Sequence, residues 1–214
     1  DEGNYVLVLE DGTILKSSWD YTGKGTATFE NADIYEGYFK NGQRHGYGKY
    51  SYNTGQVYEG DFRENLKHGI GKLTYGDKGT YNGYFESGKR HGEGVMNYPN
   101  GDYYTGWWRD GKKHGKGTYV YKQSGMKLKG TWQDGTLHGG EWLLPGGTYY
   151  SGGYKHNKPS GPGTWHFTDG NVCTGVYKQT EEPSEEEEDV LKVTATWTAD
   201  SQLFASASAV NTIL

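Results

Sequence analysis

The feature that most constrains this chain is an aromatic-x-Gly-x-aromatic motif that recurs about every 23 residues. The motif begins at Tyr35, Tyr58, Tyr81 and Tyr104, and in weaker form at Leu128, Tyr150 and Cys173. The central glycines of the clear copies are Gly37, Gly60, Gly83 and Gly106. A fixed period of this length is typical of repeat proteins, in which each unit is one supersecondary element that packs against its neighbours.

A second element, His-Gly-x-Gly, keeps the same register and begins at His45, His68, His91 and His114. In an extended strand, the glycine and the two aromatic residues of the first element share one face. Turn-forming pairs follow that strand at Asn41-Gly42, Ser87-Gly88, Asp110-Gly111 and Asp134-Gly135. Such pairs join the strands of hairpins, so each repeat predicts one β-hairpin.

A lone two-stranded hairpin cannot bury its aromatic face, so neighbouring hairpins must supply the core. The predicted fold is therefore all-β, an elongated single-layer twisted antiparallel sheet of tandem hairpins. We expect an array over residues 1–178, with about seven hairpins and one last strand. Its predicted first hairpin opens at 15–19, and Tyr5–Leu9 forms a capping strand. An acidic linker follows at 179–189, and 190–214 supplies a second capping strand, ending at Trp197, and a tail.

Composition alone would indicate disorder, because only 32% of residues are hydrophobic and the mean hydropathy is -0.94. The 20 Tyr and 7 Trp at periodic positions argue instead for a folded chain. Residues 1–178 carry a net charge of +2 and residues 179–214 one of -7. We expect a soluble intracellular protein, because no apolar run is long enough to span a bilayer and the single cysteine, Cys173, has no internal partner.

Basic residues precede each clear His-Gly element and predict a basic ridge along one side of the sheet. They are Arg44, Lys67, Lys89, Arg90, Lys112 and Lys113. The ridge could bind an anionic partner, either an acidic protein surface or phosphoinositide headgroups. It could equally be a solvated edge that prevents strand pairing. The sequence leaves both readings open.

Three aromatic residues, Tyr38, Tyr84 and Trp107, stand between the two aromatic positions of their motifs. Side chains alternate along a strand, so these three should lie on the face opposite the other aromatic residues. Exposed aromatic surface of this kind marks interaction sites. The alternative is that the three stack along the sheet without any partner.

No catalytic, cofactor or metal site is expected, and the protein is predicted not to be an enzyme and not to bind nucleic acid. The repeated histidines would lie about 10 Å apart, too far to share a zinc ion whose ligands each reach about 2 Å. A structural role at the hairpin turn is the expectation for them. The Gly-x-Gly elements lack the following helix that a phosphate-binding loop requires.

The two recurring elements resemble the MORN-repeat family over most of residues 5–178. This resemblance implies stacked antiparallel hairpins. The segment 158–165, the Glu-rich stretch and the strand ending in Trp197 are similar to the MORN subunits of the axonemal radial spoke head. That closer resemblance implies a scaffold in the axoneme of cilia and flagella, on the cytoplasmic side. Its partners would be other spoke-head proteins, a sister MORN subunit or a second copy, and the central apparatus. A phosphoinositide-binding membrane tether and a generic cytoskeletal adaptor are the alternatives.

Overall fold

β-Strands account for nearly all the secondary structure of this computed structural model, which describes residues 5–183 and 191–200. The strands fall into two units, residues 1–112 and 113–214. The first holds β1 Tyr5–Leu9, β2 Ile14–Leu15, β3 Gly23–Phe29, β4 Ile34–Lys40, β5 Gln43–Ser51, β6 Val57–Arg63, β7 Leu66–Thr74, β8 Thr80–Glu86, β9 Lys89–Asn97 and β10 Tyr103–Arg109. The second holds nearly all of β11 Lys112–Val120, followed by β12 Lys127–Gln133, β13 Thr136–Leu143, β14 Tyr149–Lys155, β15 Lys158–His166, β16 Val172–Pro183 and β17 Leu191–Ala199. A single 3-10 turn, Gly76–Lys78, precedes β8.

Consecutive strands pair antiparallel within each unit, from β3 to β10 and from β11 to β17. The prediction of an all-β array of tandem antiparallel hairpins is confirmed. The tight turns have two residues, both with positive φ, as at Asn41 (48°) and Gly42 (79°). Positive φ at both positions matches the turn to the twist of the flanking strands. Glu64-Asn65 and His156-Asn157 adopt the same geometry without any glycine.

The His-Gly-x-Gly elements that begin at His45, His68 and His91 each form a β-bulge inside a strand. In β5, Gly48 pairs with Gly37 but His45 already pairs with Tyr38, so two residues of β5 are extra. Gly46 supplies the left-handed backbone there, with φ of 59°. The predicted place of His45, His68, His91 and His114 at the hairpin turn is thus corrected. They lie within strands, two residues beyond the turn, because the unusual backbone belongs to the glycine that follows.

A ladder of glycines runs across neighbouring strands and explains the fixed glycine of each motif. Gly60 faces Gly71, and the Tyr58 side chain packs closely against both. A Cβ added at Gly60 would come within 2.5 Å of the Gly71 Cα, and one at Gly71 within 2.5 Å of Tyr58 Cε2. The Tyr58 hydroxyl then donates to the Asp61 carbonyl at 2.9 Å. Gly37 and Gly83 repeat this arrangement under Tyr35 and Tyr81.

The core is a zigzag of aromatic rings on the same face as these tyrosines. Tyr58 meets Phe62 of its own repeat edge-on, with ring centres 5.1 Å apart, and Phe85 of the next repeat at 5.0 Å. The same two contacts recur for Tyr35 and for Tyr81. Each ring therefore links one hairpin to the next, which is the stabilisation between neighbours that a repeat array requires.

The two ends of the chain differ from the expected repeat. At the N-terminal end, residues 15–19 do not form the first strand of a hairpin. Instead β1 pairs with β3, and only Ile14–Leu15 is strand, because this segment has Ser17 and Ser18 where other repeats have glycine and its flanking residue. The Ser18 hydroxyl donates to the Gly42 carbonyl, which draws the segment toward the β4–β5 turn.

At the C-terminal end, residues 179–183 belong to β16 rather than to a linker, since they pair with β17. The remainder of the predicted linker, 184–189, lies outside the described residues. The predicted strand at 190–197 corresponds to β17, Leu191–Ala199. The tail beyond residue 200 and the segment 184–190 lie outside the described residues. Cys173 is buried on β16, as expected for a small apolar residue.

Candidate interaction surface

The aromatic residues expected on the second face of the sheet are exposed. Tyr38, Tyr84 and Trp107 have exposed fractions of 36%, 39% and 50%, whereas their motif neighbours Tyr104 and Trp108 are almost fully buried. Strand alternation thus separates a buried inner face from an outer face that carries these three side chains. Large exposed aromatic residues at the same position of several repeats mark a surface available to a partner.

Cross-strand pairing extends this set by residues that the sequence did not single out. Tyr47 and Ile70 occupy the third position of the His-Gly-x-Gly element and are 69% and 74% exposed. Ile70 lies directly opposite Tyr84. Strand alternation in β5 and β7 predicts that both side chains point outward. The residue type at this position differs between repeats, so the sequence did not show that they share one surface.

The outer row is defined here by the exposed residue at this level of each of the seven strands from β4 to β10. They are Tyr38, Tyr47, Asp61, Ile70, Tyr84, Glu93 and Trp107. The register pairs Asp61 with Tyr47 and Glu93 with Trp107, so each acid lies beside a large aromatic side chain. The row is therefore apolar with two negative charges, and Lys24 of β3, which pairs with Tyr38, places one basic residue at its end.

The outer row is confined to the first unit. In the second unit, the strand positions that correspond to Trp107 hold Thr131, Gly153 and Val176. These side chains are small or absent, so this part of the outer face offers no comparable aromatic surface. The two units thus differ in what a partner would meet.

Histidines flank the outer row. His68 meets Tyr84 edge-on, with ring centres 6.2 Å apart, and His91 Nε2 lies 3.4 Å from a Glu86 carboxylate oxygen. Within residues 5–183 and 191–200, no three His, Cys, Asp or Glu side chains are grouped closely enough to hold a metal ion. His45 and His114 occupy the equivalent positions of their strands.

The structure divides the predicted basic ridge between two faces. Arg44 is buried, with its guanidinium 5.0 Å from the Tyr50 ring centre and a hydrogen bond of 2.9 Å to the Asn65 carbonyl. Arg90 lies 4.3 Å from the Trp108 ring centre and donates to the Gly111 carbonyl. These cations cover the inner aromatic face and stabilise it through cation–π contacts.

Lys67 and Lys113 occupy the same inner position in their repeats. The Lys67 ammonium lies 5.5 Å from the Tyr52 ring centre, and that of Lys113 lies 4.4 Å from the Trp132 ring centre. Only Lys89 and Lys112 of the six predicted residues are exposed, and Lys89 lies 4.0 Å from an Asp110 carboxylate oxygen. Arg44 is therefore buried. Lys67, Arg90 and Lys113 are half-buried against inner rings, so these residues do not form an exposed basic ridge.

The phenol groups of the inner tyrosines do not ionise at neutral pH. Burial, and then the hydrogen bond to the Asp33 carboxylate, raise the pKa of Tyr50 far above its usual value. Burial likewise raises the pKa of Tyr150 to about 12. These phenols stay protonated at neutral pH and act as packing and hydrogen-bonding groups.

Comparison with known proteins gives one family. The sequence pattern of the MORN repeat matches residues 35–57, 58–80, 81–103, 104–126 and 150–172, together 115 of the 214 residues. No curated protein matches the chain. An all-β repeat scaffold of this type is typically non-catalytic. Among the described residues, no helix has the length and apolar character to cross a membrane.

Proposed function

Because the chain belongs to the MORN-repeat family, we propose that it is a non-catalytic scaffold that binds partner proteins through the outer row. The observation that carries this proposal is the exposure of Tyr47, Ile70 and Trp107, each at least half exposed, on one level of one face. Aromatic residues are the side chains that most often dominate binding energy at protein interfaces. A surface that buries them would gain affinity without any change in the core.

Charge favours a protein over a lipid headgroup as the ligand of this face. Asp61 and Glu93 place two carboxylates within the apolar row against the single ammonium of Lys24 at its end, so an anionic membrane surface would meet a net negative charge. The four basic residues that cover inner rings are also less available to a lipid headgroup, because one is buried and three are half-buried. A partner with apolar side chains and one or two Lys or Arg residues complements the row better.

The finer part of the proposal is a place in the radial spoke head of the ciliary and flagellar axoneme. It rests on the similarity of residues 158–165, of the Glu-rich stretch and of the strand ending in Trp197 to spoke-head MORN subunits. In that setting the partners are other spoke-head proteins, a sister MORN subunit and the central apparatus surface. The scaffold would hold these proteins together for the regulation of motility.

Localisation and co-purification test the cellular part of the proposal. A tagged full-length chain expressed in a ciliated cell should lie along the axoneme and recover spoke-head proteins. A chain found elsewhere on the cytoskeleton, with other partners, would instead support a generic cytoskeletal adaptor.

The outer row is tested by the double variant Tyr84→Ser/Trp107→Ser, with Lys78→Ser as control, because Lys78 is exposed in the 3-10 turn and lies outside the row. Recovery of the co-purified partners should fall about tenfold or more in the double variant, since one interface hot spot contributes at least about 2 kcal/mol. Both proteins should keep their thermal stability. Equal recovery from double variant and control would refute the assignment of this face.

The lipid alternative is tested by flotation with phosphoinositide-containing vesicles. The decisive variant is Lys89→Glu/Lys112→Glu, which reverses the two exposed cations of the predicted ridge. We expect the unaltered chain to stay with the unbound protein. Salt-sensitive flotation that this variant abolishes would support the membrane tether instead.

A further inference from the structure

Within the described part of the chain, one edge of β17 has a paired strand and the other does not. Leu191–Ala199 pairs with β16 through nine consecutive residue pairs without a register shift. Among the described residues, no other strand is registered against its second edge. Natural proteins usually protect such an edge with a proline, a bulge or an inward-pointing charge. The segment 191–199 contains no proline or glycine, and its single charged residue, Lys192, points outward.

The two faces of β17 are strongly different. Ala195 and Trp197 are buried, and the Trp197 ring packs against Tyr177 with ring centres 4.9 Å apart. The residues on the other face are all exposed, and they are Lys192, Thr194, Thr196, Thr198 and Asp200. This row has a positive end, a negative end and threonines between them.

The backbone of β17 presents a regular set of groups toward the open edge. The Asp200 amide donates to the Thr174 carbonyl at 2.9 Å, so Asp200 and the alternate residues before it bond toward β16. The amides and carbonyls of Val193, Ala195, Trp197 and Ala199 consequently face the open side. The Val193 carbonyl also accepts from Lys158 Nζ, and its second lone pair leaves it able to accept another hydrogen bond.

We propose that β17 pairs with β17 of a second copy of this chain, antiparallel about a twofold axis at Thr196. An axis at this residue puts Lys192 of each copy opposite Asp200 of the other. It also puts Ala195 opposite Trp197, a small side chain beside a large one. The sequence is thus self-complementary in charge and in volume, as a symmetric dimer interface must be.

Neighbouring registers lose these matches. With the axis at Ala195, Lys192 would face Thr198, and Asp200 would face a residue before β17. With the axis at Trp197, the two indole-bearing residues would face each other directly, and Lys192 would lie beyond Asp200. Only the Thr196 register joins the opposite charges and bonds the outward amides in pairs.

Charge reversal tests the register in the full-length chain. Lys192→Asp alone places two acids together twice per dimer, and Asp200→Lys alone places two lysines together twice. Each variant should self-associate about tenfold more weakly than the unaltered chain in sedimentation equilibrium. An equimolar mixture of the two variants restores both attractive pairs, so it should associate within about threefold of the unaltered chain.

The control is Lys116→Asp, which changes the net charge equally at an exposed position of β11. It should associate as the unaltered chain does. A monomer at every concentration up to about 200 μM, well above the range of weak specific interfaces, would overturn the proposal. So would a dimer whose strength neither Lys192→Asp nor Asp200→Lys changes.

Cysteine cross-linking gives an independent readout of the axis. Thr196→Cys would face its own copy at a Cα separation of about 4.5 Å, which suits a disulfide. Thr194→Cys would lie about 13 Å from its own copy along the strand. We expect rapid disulfide formation only for Thr196→Cys, with Cys173 buried and silent in both chains. Equal cross-linking of the two variants would refute a twofold axis at Thr196.

Discussion

Replacement of Gly60 by alanine should destabilise the protein although it adds only one methyl group. The new Cβ would lie 2.5 Å from the Gly71 Cα and 2.6 Å from the Ile70 carbonyl oxygen. Both are backbone atoms of the paired strand, so neither can rotate away. Because carbon atoms pack at about 3.5–4.0 Å, the strands must separate locally by roughly 1 Å.

The magnitude follows from the contacts that this separation disturbs. Overpacking costs about 1–3 kcal/mol, and loss of the two edge contacts of the Tyr58 ring, with Phe62 and Phe85, costs about 0.5–1.5 kcal/mol each. Alanine restricts the unfolded chain and returns about 0.4–1 kcal/mol. We therefore expect the free energy of unfolding to fall by about 1–5 kcal/mol for Gly60→Ala.

Gly139→Ala is the matched control. Its added Cβ would meet only the Gly152 carbonyl oxygen at 3.7 Å, an ordinary contact, and Gly139 lacks a positive φ. Its stability should stay within about 0.5 kcal/mol of the unaltered chain. Urea unfolding followed by far-UV circular dichroism compares the three proteins. If Gly60→Ala is as stable as Gly139→Ala, close glycine packing is not what fixes this residue.

Other predictions address the basic residues, the buried phenols and a buried carboxylate. Arg90→Ala should lower the free energy of unfolding by about 1–3 kcal/mol, because it uncovers Trp108, whereas Lys89→Ala should change it by less than about 0.5 kcal/mol in the same urea assay. The Tyr150 hydroxyl is buried without a hydrogen-bond partner among the described residues, so Tyr150→Phe should leave the free energy of unfolding unchanged at pH 7. The raised pKa of Tyr150 contributes stability that is fully present below pH 10 and is lost as the pH rises through about 12. Over this range the urea midpoint should therefore fall less for Tyr150→Phe than for the unaltered chain. Asp33→Ala should cost about 1–3 kcal/mol, measured by thermal unfolding, because it removes an acceptor for Tyr50 and for a loop amide.

The sequence was sufficient for the fold because its strongest signals are local. A period of 23 residues, turn pairs such as Asn41-Gly42 and strand alternation each specify hairpins without information from distant residues. Alternation also gave the outward direction of Tyr38, Tyr84 and Trp107. The inward tyrosines were expected to pack in the core between hairpins. Their contact with a pair of glycines depends on the register between two strands, which the sequence of a single repeat does not reveal.

The basic residues show why adjacency in sequence did not predict a shared surface. Lys89 and Arg90 are adjacent in sequence, yet adjacent residues of a strand point to opposite faces. One therefore lies in solvent and the other over Trp108. Grouping them as one ridge ignored the alternation that correctly assigned the aromatic residues. The bulge at Gly46 was missed for another reason, since it arises from a mismatch between two strands.

The division between faces bears on how such an array acquires partners. Some residue types recur in every clear repeat, namely the tyrosine, the glycines and the Phe or Trp. They belong to the inner face and its glycine ladder. Letters that differ between repeats, such as Tyr47, Ile70 and Glu93, point outward. A substitution at an outward position leaves the ring contacts between hairpins unchanged, so partner chemistry can change there at little cost in stability. The variable outward residues of the repeat should therefore determine binding specificity. Substitution of the recurring inner residues should affect binding only by lowering the stability of the fold.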